Sequence, residues 1–170
     1  VNEQVFAVYA GTTEPQPWQS FLALIRQQLD ARASLLILRK PSATDPGVMI
    51  FDNLKIPDTD SNIYSGEFYQ HDPFVNLPGG IVKTLDEYIS LEQLQRSEFY
   101  KVCFAPYGML HILGIDFHLD DGLEASFRLL RQQHSPNFTT ADKALCQLLS
   151  PHIQQAISLH AQLERIAAES

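Results

Sequence analysis

The stretch MLHILGIDFHLDDGLEASFRLLRQ (109–132) carries two apolar runs on either side of an Asp-Asp-Gly turn. The runs are typical of strands that turn one face toward a core. If Leu119 pairs with Ala125, then Phe117 lies opposite Phe127, and the strongly matched apolar pairs fall on one side. We therefore predict an antiparallel hairpin with one dry face. Its loop should be longer than a two-residue Asp-Gly turn, which would shift the pairing by one and mix the faces.

The other face of this hairpin is polar. The same register sets Asp116 opposite Arg128 and His118 opposite Ser126. An exposed cross-strand pair of opposite charges contributes little to stability. If helices and loops cover this face, the same groups would lie inside a pocket and could orient a ligand. Both interpretations stay open at the level of sequence.

A second hairpin and a helix are predicted upstream. The apolar runs SLLILRK (34–40) and GVMIFDN (47–53) are separated by PSATDPG, which contains strong turn residues. A helix is predicted from Pro17 to Leu29, because proline favours a helix start and apolar residues then recur at helical spacing.

The middle of the chain predicts one more strand and one more helix. GGIVKT (79–84) has the composition of a short strand after a glycine pair. SLEQLQRSEFYKVCFAP (90–106) is predicted as a helix, because Ser90 and Gln93 have the spacing of a capping box. Pro106 lies past the end of this helix.

A long helical pattern closes the chain, beginning at NFTTADK (137–143). Thr139 and Asp142 have capping-box spacing, and Pro151 lies inside the pattern, where it predicts a kink and not an end. About 30 helical residues span roughly 45 Å, whereas a compact body of this size measures roughly 35–40 Å. We therefore expect residues 152–170 to begin a linker helix that extends past the domain.

Together these elements predict an α+β fold. An antiparallel sheet should lie between a layer of N- and C-terminal helices and a ligand-side layer of helix and loop. The length of 170 residues suits one domain, residues 1–170, and a composition of 45% hydrophobic and 19% charged residues is that of a globular protein. No signal-peptide pattern or bilayer-spanning run is present, and Cys103 and Cys146 suit buried, reduced thiols. We expect a cytoplasmic domain without membrane contact.

The charge of the chain argues against direct binding of nucleic acid. The net charge is −8, and lysines and arginines are scattered along the sequence. Binding a phosphate backbone requires basic residues collected on one face. Any contact with DNA would therefore need a further domain.

The histidines and cysteines form no metal-binding or nucleophilic pattern. His111 and His118 are seven residues apart on one predicted strand, so they point to opposite faces. No HExxH, paired Cys/His or GxSxG motif is present, and neighbouring His71 and Asp72 orient each other poorly. We predict no metal, no cofactor and no catalysis. A competing hypothesis is a small enzyme whose acid/base groups come from His71, Asp72, Asp116 or His118. A third is a dimerisation module whose cavity is filled by its own side chains.

The segment YSGEFYQHDPFVNLPGG (64–80) is rich in aromatic residues. Asp72-Pro73 predicts a turn in which the Asp72 carboxylate caps the following backbone and still presents a free oxygen to a cavity. The aromatic side chains either close the core or line a small-molecule pocket. We take Asp72 as the residue of this segment that contacts a ligand. The predicted ligand-binding residues are Tyr64, Phe68, Tyr69, Asp72, Phe74, Asp116, His118 and Arg128.

Three segments resemble a known group of proteins. The ending SPNFTTADKALCQLLSPHIQQAISLHAQLE (135–164) resembles the closing segment of GAF-like sensory domains that precede a helix-turn-helix in LuxR-type transcriptional regulators. The matching residues are Pro136, Phe138, Thr139, Leu149, Pro151 and His152. YQHDPFVNLPGGIVKT (69–84) and RSEFYKVCFAPYG (96–108) also resemble that group, and the order of elements is similar to that of GAF/PAS-type sensor domains.

The resemblance implies a small-molecule sensor domain whose DNA-binding domain is absent from this chain. It implies that an unknown ligand changes the packing of the first and last helices, and that a homodimer thereby repositions two DNA-binding domains. The apolar stripes predict the dimer surface at Trp18, Phe21, Ile25, Ile153, Ile157 and Leu163.

A narrower resemblance leads to an alternative ligand class. The acyl-homoserine-lactone-binding domains of quorum-sensing LuxR proteins also have tyrosines ahead of an Asp-Pro, similar here to Tyr69 and Asp72-Pro73, and their aspartate meets the ligand amide. The spacing from tyrosine to Asp-Pro differs in this chain, and its single tryptophan, Trp18, lies outside the segment. An autoinducer-binding domain of this type is therefore the alternative function.

Overall fold

The computed structural model describes residues 1–40, 47–54, 72–74 and 77–169 of the chain. A single sheet has the strand order β2-β1-β5-β4-β3, and all of these neighbours pair antiparallel. The predicted α+β fold class is confirmed. In chain order the helices and strands of the described residues are α1 (Asn2–Ala10), α2 (Gln19–Gln28), β1 (Ala33–Arg39), β2 (Val48–Asp52), β3 (Lys83–Thr84), α3 (Leu91–Arg96), β4 (Met109–His118), β5 (Glu124–Gln132) and α4 (Thr140–Glu169).

Helices α1, α2 and α4 cover one face of the sheet. Their apolar side chains meet the dry face of the β4–β5 hairpin in one buried cluster that includes Phe21, Ile25, Ile115, Phe127 and Ile157. The predicted β1–β2 hairpin is also confirmed. Helix α1 was not predicted, because its apolar residues do not concentrate on one side as those of α2 do.

The predicted dimer surface is wrong for five of its six residues. These five side chains are buried in the core between the helices and the sheet, so their helical stripes pack within the same chain. An apolar stripe predicts burial but does not identify the covering surface. Only Leu163 is exposed. The five buried residues are Trp18, Phe21, Ile25, Ile153 and Ile157.

The register of the β4–β5 hairpin differs from the prediction by two residues. Phe117 lies opposite Ala125, and Asp116 lies opposite Ser126. The hairpin closes on a shorter loop than predicted, because the Leu119 N–H donates to the Leu123 carbonyl (2.8 Å) and Asp121 has a φ of 62°. A shift of two residues keeps each side chain on its face, so the predicted dry face is confirmed.

Two predicted helices have different bounds in the structure. Helix α2 begins at Gln19, because Trp18 has a left-handed φ of 60° and its indole N–H donates to the Val8 carbonyl (2.9 Å). The helix predicted over 90–106 is broken: Ser97 is extended after α3, and its hydroxyl donates to the Leu94 carbonyl (2.6 Å). A π-helical turn and a 3-10 turn complete the segment, Tyr100–Phe104 and Ala105–Tyr107.

Local capping predictions are confirmed at two helix starts. The Gln93 N–H donates to the Ser90 hydroxyl, and the Gln93 side chain returns to the Ser90 backbone. Thr139 and Asp142 make the same reciprocal pair ahead of α4. Helix α4 then continues through Pro151 for 30 residues, as its pattern predicted. The strand predicted over 79–84 is shorter in the structure, where β3 covers only Lys83–Thr84.

The C-terminal part of α4 is exposed from residue 162 onward. Arg165 still bonds to Asp121 in the β4–β5 loop, so this part of the helix lies beside the sheet. Among the described helices, none combines the length and the apolar character needed to cross a bilayer. The assignment of residues 152–170 as a linker stays a prediction.

Candidate ligand-binding site

Arg128 lies at the centre of the sheet, on the face opposite helices α1, α2 and α4. Its side chain is 0% exposed. On the two neighbouring strands it is flanked by Gly114 and Leu35. A Cβ on Gly114 would lie 3.0 Å from Nη1 of Arg128. The guanidinium therefore lies flat against β4 because position 114 has no side chain.

The guanidinium of Arg128 has several oxygens and one aromatic ring as partners. Nη1 donates to the backbone carbonyls of Phe127 (3.0 Å) and Ile115 (3.2 Å) and lies 2.8 Å from Oδ1 of Asp116. Nη2 donates to Oδ2 of Asp72 (3.0 Å). The Phe74 ring lies over the guanidinium, with Cζ 4.9 Å from the ring centroid. One arginine thus joins β4, β5 and the Asp72–Phe74 segment.

The two oxygens of Asp72 have separate partners. Oδ1 accepts the Phe74 N–H (3.0 Å), which makes the turn predicted from Asp72-Pro73. Oδ2, the oxygen predicted to face a cavity, accepts from Arg128 instead. A carboxylate that closes a local turn and an ion pair together is held in one orientation.

The cluster holds more negative than positive charge. Burial raises the pKa of the Asp72 carboxyl above its ordinary value, although the nearby Arg128 charge acts to lower it. Burial also acts to lower the pKa of the Arg128 guanidinium, but the charges of Asp72 and Asp116 outweigh it and raise that pKa. Two carboxylates therefore share one cation in a site that is largely removed from water.

One donor of this cluster has no acceptor within the described residues. It is Nε of Arg128, which is fully buried. A buried donor without an acceptor costs about 1–3 kcal/mol of folding free energy. Such groups are uncommon in folded proteins, and a bound water, ion or ligand is one explanation for them.

The structure brings together four of the eight predicted ligand-binding residues: Asp72, Phe74, Asp116 and Arg128. It does not bring His118 into this cluster, because the His118 side chain is 61% exposed and lies 3.9 Å from Glu124 at the end of the hairpin. The contribution of Gly114 was missed, although a glycine inside a strand pattern signals a close approach. The remaining predicted residues, Tyr64, Phe68 and Tyr69, lie outside the described residues, as does His71.

Apolar side chains of the strands and of the ligand-side layer surround the cluster. They form a second buried core, separate from the one beneath the helices. Strand residues contribute Leu35, Ile37, Ile112 and Leu130, and the covering segments contribute Leu54, Phe74, Leu77, Leu85, Leu94, Phe99 and Phe104. The polar cluster is therefore embedded in an apolar layer, which is the usual composition of a small-molecule site.

A small cavity of about 140 Å³ opens in the same layer, near the start of β4. Leucine and isoleucine side chains line most of it, and Asp86, His111 and Asn137 form its polar part. Burial lowers the pKa of His111, so this imidazole is neutral at pH 7. Arg128 does not line this cavity.

The described residues hold no group of three His, Cys, Asp or Glu side chains that could bind a metal ion. Burial also raises the pKa of the Cys146 thiol to about 12, so this thiol is not a nucleophile at neutral pH. The absence of a metal site stays a prediction for the chain as a whole.

Comparison with known proteins gives a fold but no sequence family. No family model and no curated protein matches the sequence. Solved structures do match: the ligand-binding domain of VqsR from Pseudomonas aeruginosa has a TM-score of 0.68 at 18% identity, over 95% of this chain and 96% of that one. CepR2 from Burkholderia cenocepacia, an N-acylhomoserine-lactone-dependent LuxR-family transcription factor, has a TM-score of 0.62 at 12% identity, over 98% of both chains.

The chain shares the fold of LuxR-type ligand-binding domains. A GAF domain from a GAF/HD-domain protein of Geobacter sulfurreducens is also similar, with a TM-score of 0.55 at 15% identity, over 84% of this chain and 89% of that one. The GAF/LuxR-like fold implied by the sequence resemblance is confirmed. At these identities the likeness concerns the fold alone.

Proposed function

We propose that this domain binds a small molecule on the Arg128 side of its sheet and serves as the ligand-sensing part of a transcriptional regulator. The observation that carries the proposal is the buried Asp72–Arg128–Asp116 cluster in an apolar layer. The fold shared with LuxR-type ligand-binding domains supports it. The predicted contacts from Tyr64, Phe68 and Tyr69 belong to the same proposal.

A purely structural role accounts poorly for this cluster. Replacing a buried ion pair by apolar residues of similar volume is often neutral or stabilising, so buried charges are weak contributors to folding. The helix-side core is built mainly from apolar side chains, and the buried Arg131–Asp142 pair is the charged group beside it. Fixed polar groups in an apolar surrounding do suit the orientation of a ligand.

An acyl-homoserine lactone remains one candidate for the ligand. CepR2 depends on such a molecule, and the Asp72-Pro73 turn is present here. Each oxygen of Asp72 already accepts one hydrogen bond, however, so a lactone amide would have to share an oxygen with Arg128 or with the Phe74 N–H. The broader class, a small molecule of unspecified structure, therefore fits the geometry better.

The output of the sensor is proposed to pass through α4. Ile153 and Ile157 pack in the helix-side core, whereas Leu159, Leu163 and Ile166 on later turns are exposed. Motion of the buried turns would therefore move these exposed residues, and Leu159 and Leu163 are proposed as the surface that pairs in a homodimer. We propose that DNA is contacted through a separate domain and that the sensor itself works in the cytoplasm without catalysis.

A thermal-shift screen tests the proposal. A compound present at 100 times its dissociation constant should add about 2.7 kcal/mol to the free energy of unfolding. Asp116→Asn should weaken the binding of each hit by about tenfold or more, because it removes one of the two carboxylates that hold the Arg128 guanidinium in place. Glu92→Gln, in an exposed pair remote from the site, is the matched control and should leave binding unchanged.

Circular dichroism confirms that both variants are folded before binding is compared. Hits whose affinity is the same in Asp116→Asn and in the wild type would contradict the proposed location. If no compound of a diverse screen raises the melting temperature, ligand sensing itself is contradicted.

A further inference from the structure

The side edge of the Arg128 guanidinium is only half used. Nε and Nη2 lie on one edge of the guanidinium and together match two oxygen acceptors. Nη2 donates to Oδ2 of Asp72, whereas Nε has no acceptor within the described residues. Asp72 does not fill both positions, because its other oxygen accepts the Phe74 N–H. One fully buried N–H thus remains available at the centre of the proposed site.

The charges around this N–H restrict which acceptors can bind to it. Asp72 and Asp116 both lie within 3.0 Å of the same guanidinium. A third carboxylate or a phosphate would therefore meet two negative charges that the single cation balances only in part. Burial strengthens this repulsion, since little water is present to screen it.

A cationic group cannot satisfy this N–H, although Oδ1 of Asp116, a buried acceptor without a hydrogen bond among the described residues, could accept from a donor. An ammonium group carries donors and no lone pair, so it cannot accept from Nε–H. The apolar layer around the cluster would also remove water from any charged group placed there. An uncharged oxygen, as in a ketone, ester or ether, satisfies the donor without adding a charge.

We propose that the ligand of this site places an uncharged oxygen acceptor on the Nε–H of Arg128, and that Asp72 positions Arg128 without accepting a hydrogen bond from the ligand. This inference rests on the proposed function. It replaces the expectation from sequence that Asp72 itself contacts the ligand. Arg128 is then the specificity-determining residue, and the body of the ligand is apolar.

Matched probes of one chain length test the charge rule. Methyl ketones, carboxylates and primary amines with chains of six to ten carbons differ mainly in the head group. At pH 7 the ketones should bind at least about tenfold more tightly than the carboxylates and amines of equal length, as measured by isothermal titration calorimetry on the wild-type domain.

The Arg128 Nε–H resonance reports the contact directly. In ¹⁵N-labelled protein this signal should shift on addition of the ketone, while the Nε–H signal of Arg96, which lies in an exposed pair, should stay in place. Arg128→Lys removes the signal and assigns it. If that variant does not fold, nuclear Overhauser contacts to the Phe74 ring assign the signal in the wild type.

The outcomes separate the inference from the function on which it rests. Tight binding of carboxylates or amines with weak binding of ketones would overturn the inference and leave ligand sensing intact. Ketone binding that leaves the Arg128 Nε–H signal in place would do the same. If no member of the three series binds, the inference is overturned, while the wider screen described above decides on the function.

Discussion

Both faces of the sheet are buried at its centre, but the central residues of the two faces differ in chemistry. On the helix side, Ile115, Phe127 and Leu129 are apolar and pack under α1, α2 and α4. On the other side, Arg128 is just as inaccessible to solvent, yet it carries a charge and faces two carboxylates. Neighbouring residues of β5 thus lie in surroundings of different chemistry, one apolar and one charged. Burial alone does not distinguish an apolar core from a layer that holds a charged cluster.

The largest expected effect comes from removing the cation of the cluster. Arg128→Met leaves Asp72 and Asp116 buried without a counter-charge, so we expect a loss of about 3–5 kcal/mol in the free energy of unfolding at pH 7. The loss should shrink as the pH falls, because protonation neutralises Asp72, whose pKa burial already raises. Urea denaturation at several pH values measures both quantities.

Phe127→Ala is the matched control on the other face. Truncating this buried ring should also cost about 3–5 kcal/mol, but the cost should not depend on pH. If Arg128→Met were as independent of pH as Phe127→Ala, the cluster would not hold the charges assigned to it.

A smaller effect is expected where the guanidinium lies against β4. Gly114→Ala places a Cβ 3.0 Å from Nη1 of Arg128, and because the guanidinium is held by several partners we expect a loss of about 1–3 kcal/mol. The Arg128 Nε–H resonance should move as well. Thermal denaturation and the arginine NMR signals are the measurements.

Gly108→Ala separates the contact from general strain. No atom lies within 4 Å of a Cβ at this position, but its φ of 68° is unfavourable for alanine, at a cost of roughly 1–2 kcal/mol. The Arg128 signal should therefore stay unchanged in Gly108→Ala. Equal changes of that signal in both variants would contradict the close approach at Gly114.

The pH dependence of Asp72 gives a further test of the charged face. Because burial raises its folded-state pKa, the folded protein binds a proton at Asp72 more tightly than the unfolded chain does. The contribution of Asp72 to stability is therefore fully present below its ordinary pKa of 3.8 and falls as the pH rises through the folded-state pKa. Asp72→Asn should remove this fall.

The measurement is the difference in melting temperature between wild type and Asp72→Asn across that pH window. The melting temperature of the wild type should fall steadily relative to that of Asp72→Asn as the pH rises. A wild type that gains stability relative to Asp72→Asn over the same window would show that the Arg128 charge dominates over burial.

The smallest effect is expected at an exposed ion pair. Arg96 and Glu92 form a pair one helical turn apart in α3, with side chains 75% and 73% exposed. Arg96→Gln should change the free energy of unfolding by less than about 0.5 kcal/mol, because water and salt screen the pair. A loss comparable to that of Arg128→Met would remove the distinction between buried and exposed charges on which the comparison rests.

The parts of the fold that depend on local chemistry could be predicted from the sequence. Ser90 with Gln93, and Thr139 with Asp142, need only a spacing of three residues to cap their helices. The two faces of the β4–β5 hairpin follow from alternation, which a register shift of two residues does not disturb. The register itself depends on the left-handed Asp121 in the loop, and more than one loop length suits the residues there.

Several residues of the candidate site could be predicted from the sequence, but the contacts between them could not. Asp116 and Arg128 stand on the predicted polar face, yet their contact is diagonal, and Asp72 reaches Arg128 from 56 residues away. Pairing of residues so distant in sequence depends on the whole fold. The helical stripes of α2 and α4 illustrate the same limit, since their spacing indicates burial and leaves the partner open.

Native mass spectrometry of the purified domain, recorded for the wild type and for Arg128→Lys, tests the central claim most directly. The account predicts that the wild type retains or takes up a small uncharged molecule from an added methyl ketone series. The folded Arg128→Lys variant, which keeps the charge but lacks Nε–H, should bind at least about tenfold less. Equal occupancy in both proteins, or occupancy only by charged members of the matched series, would contradict it.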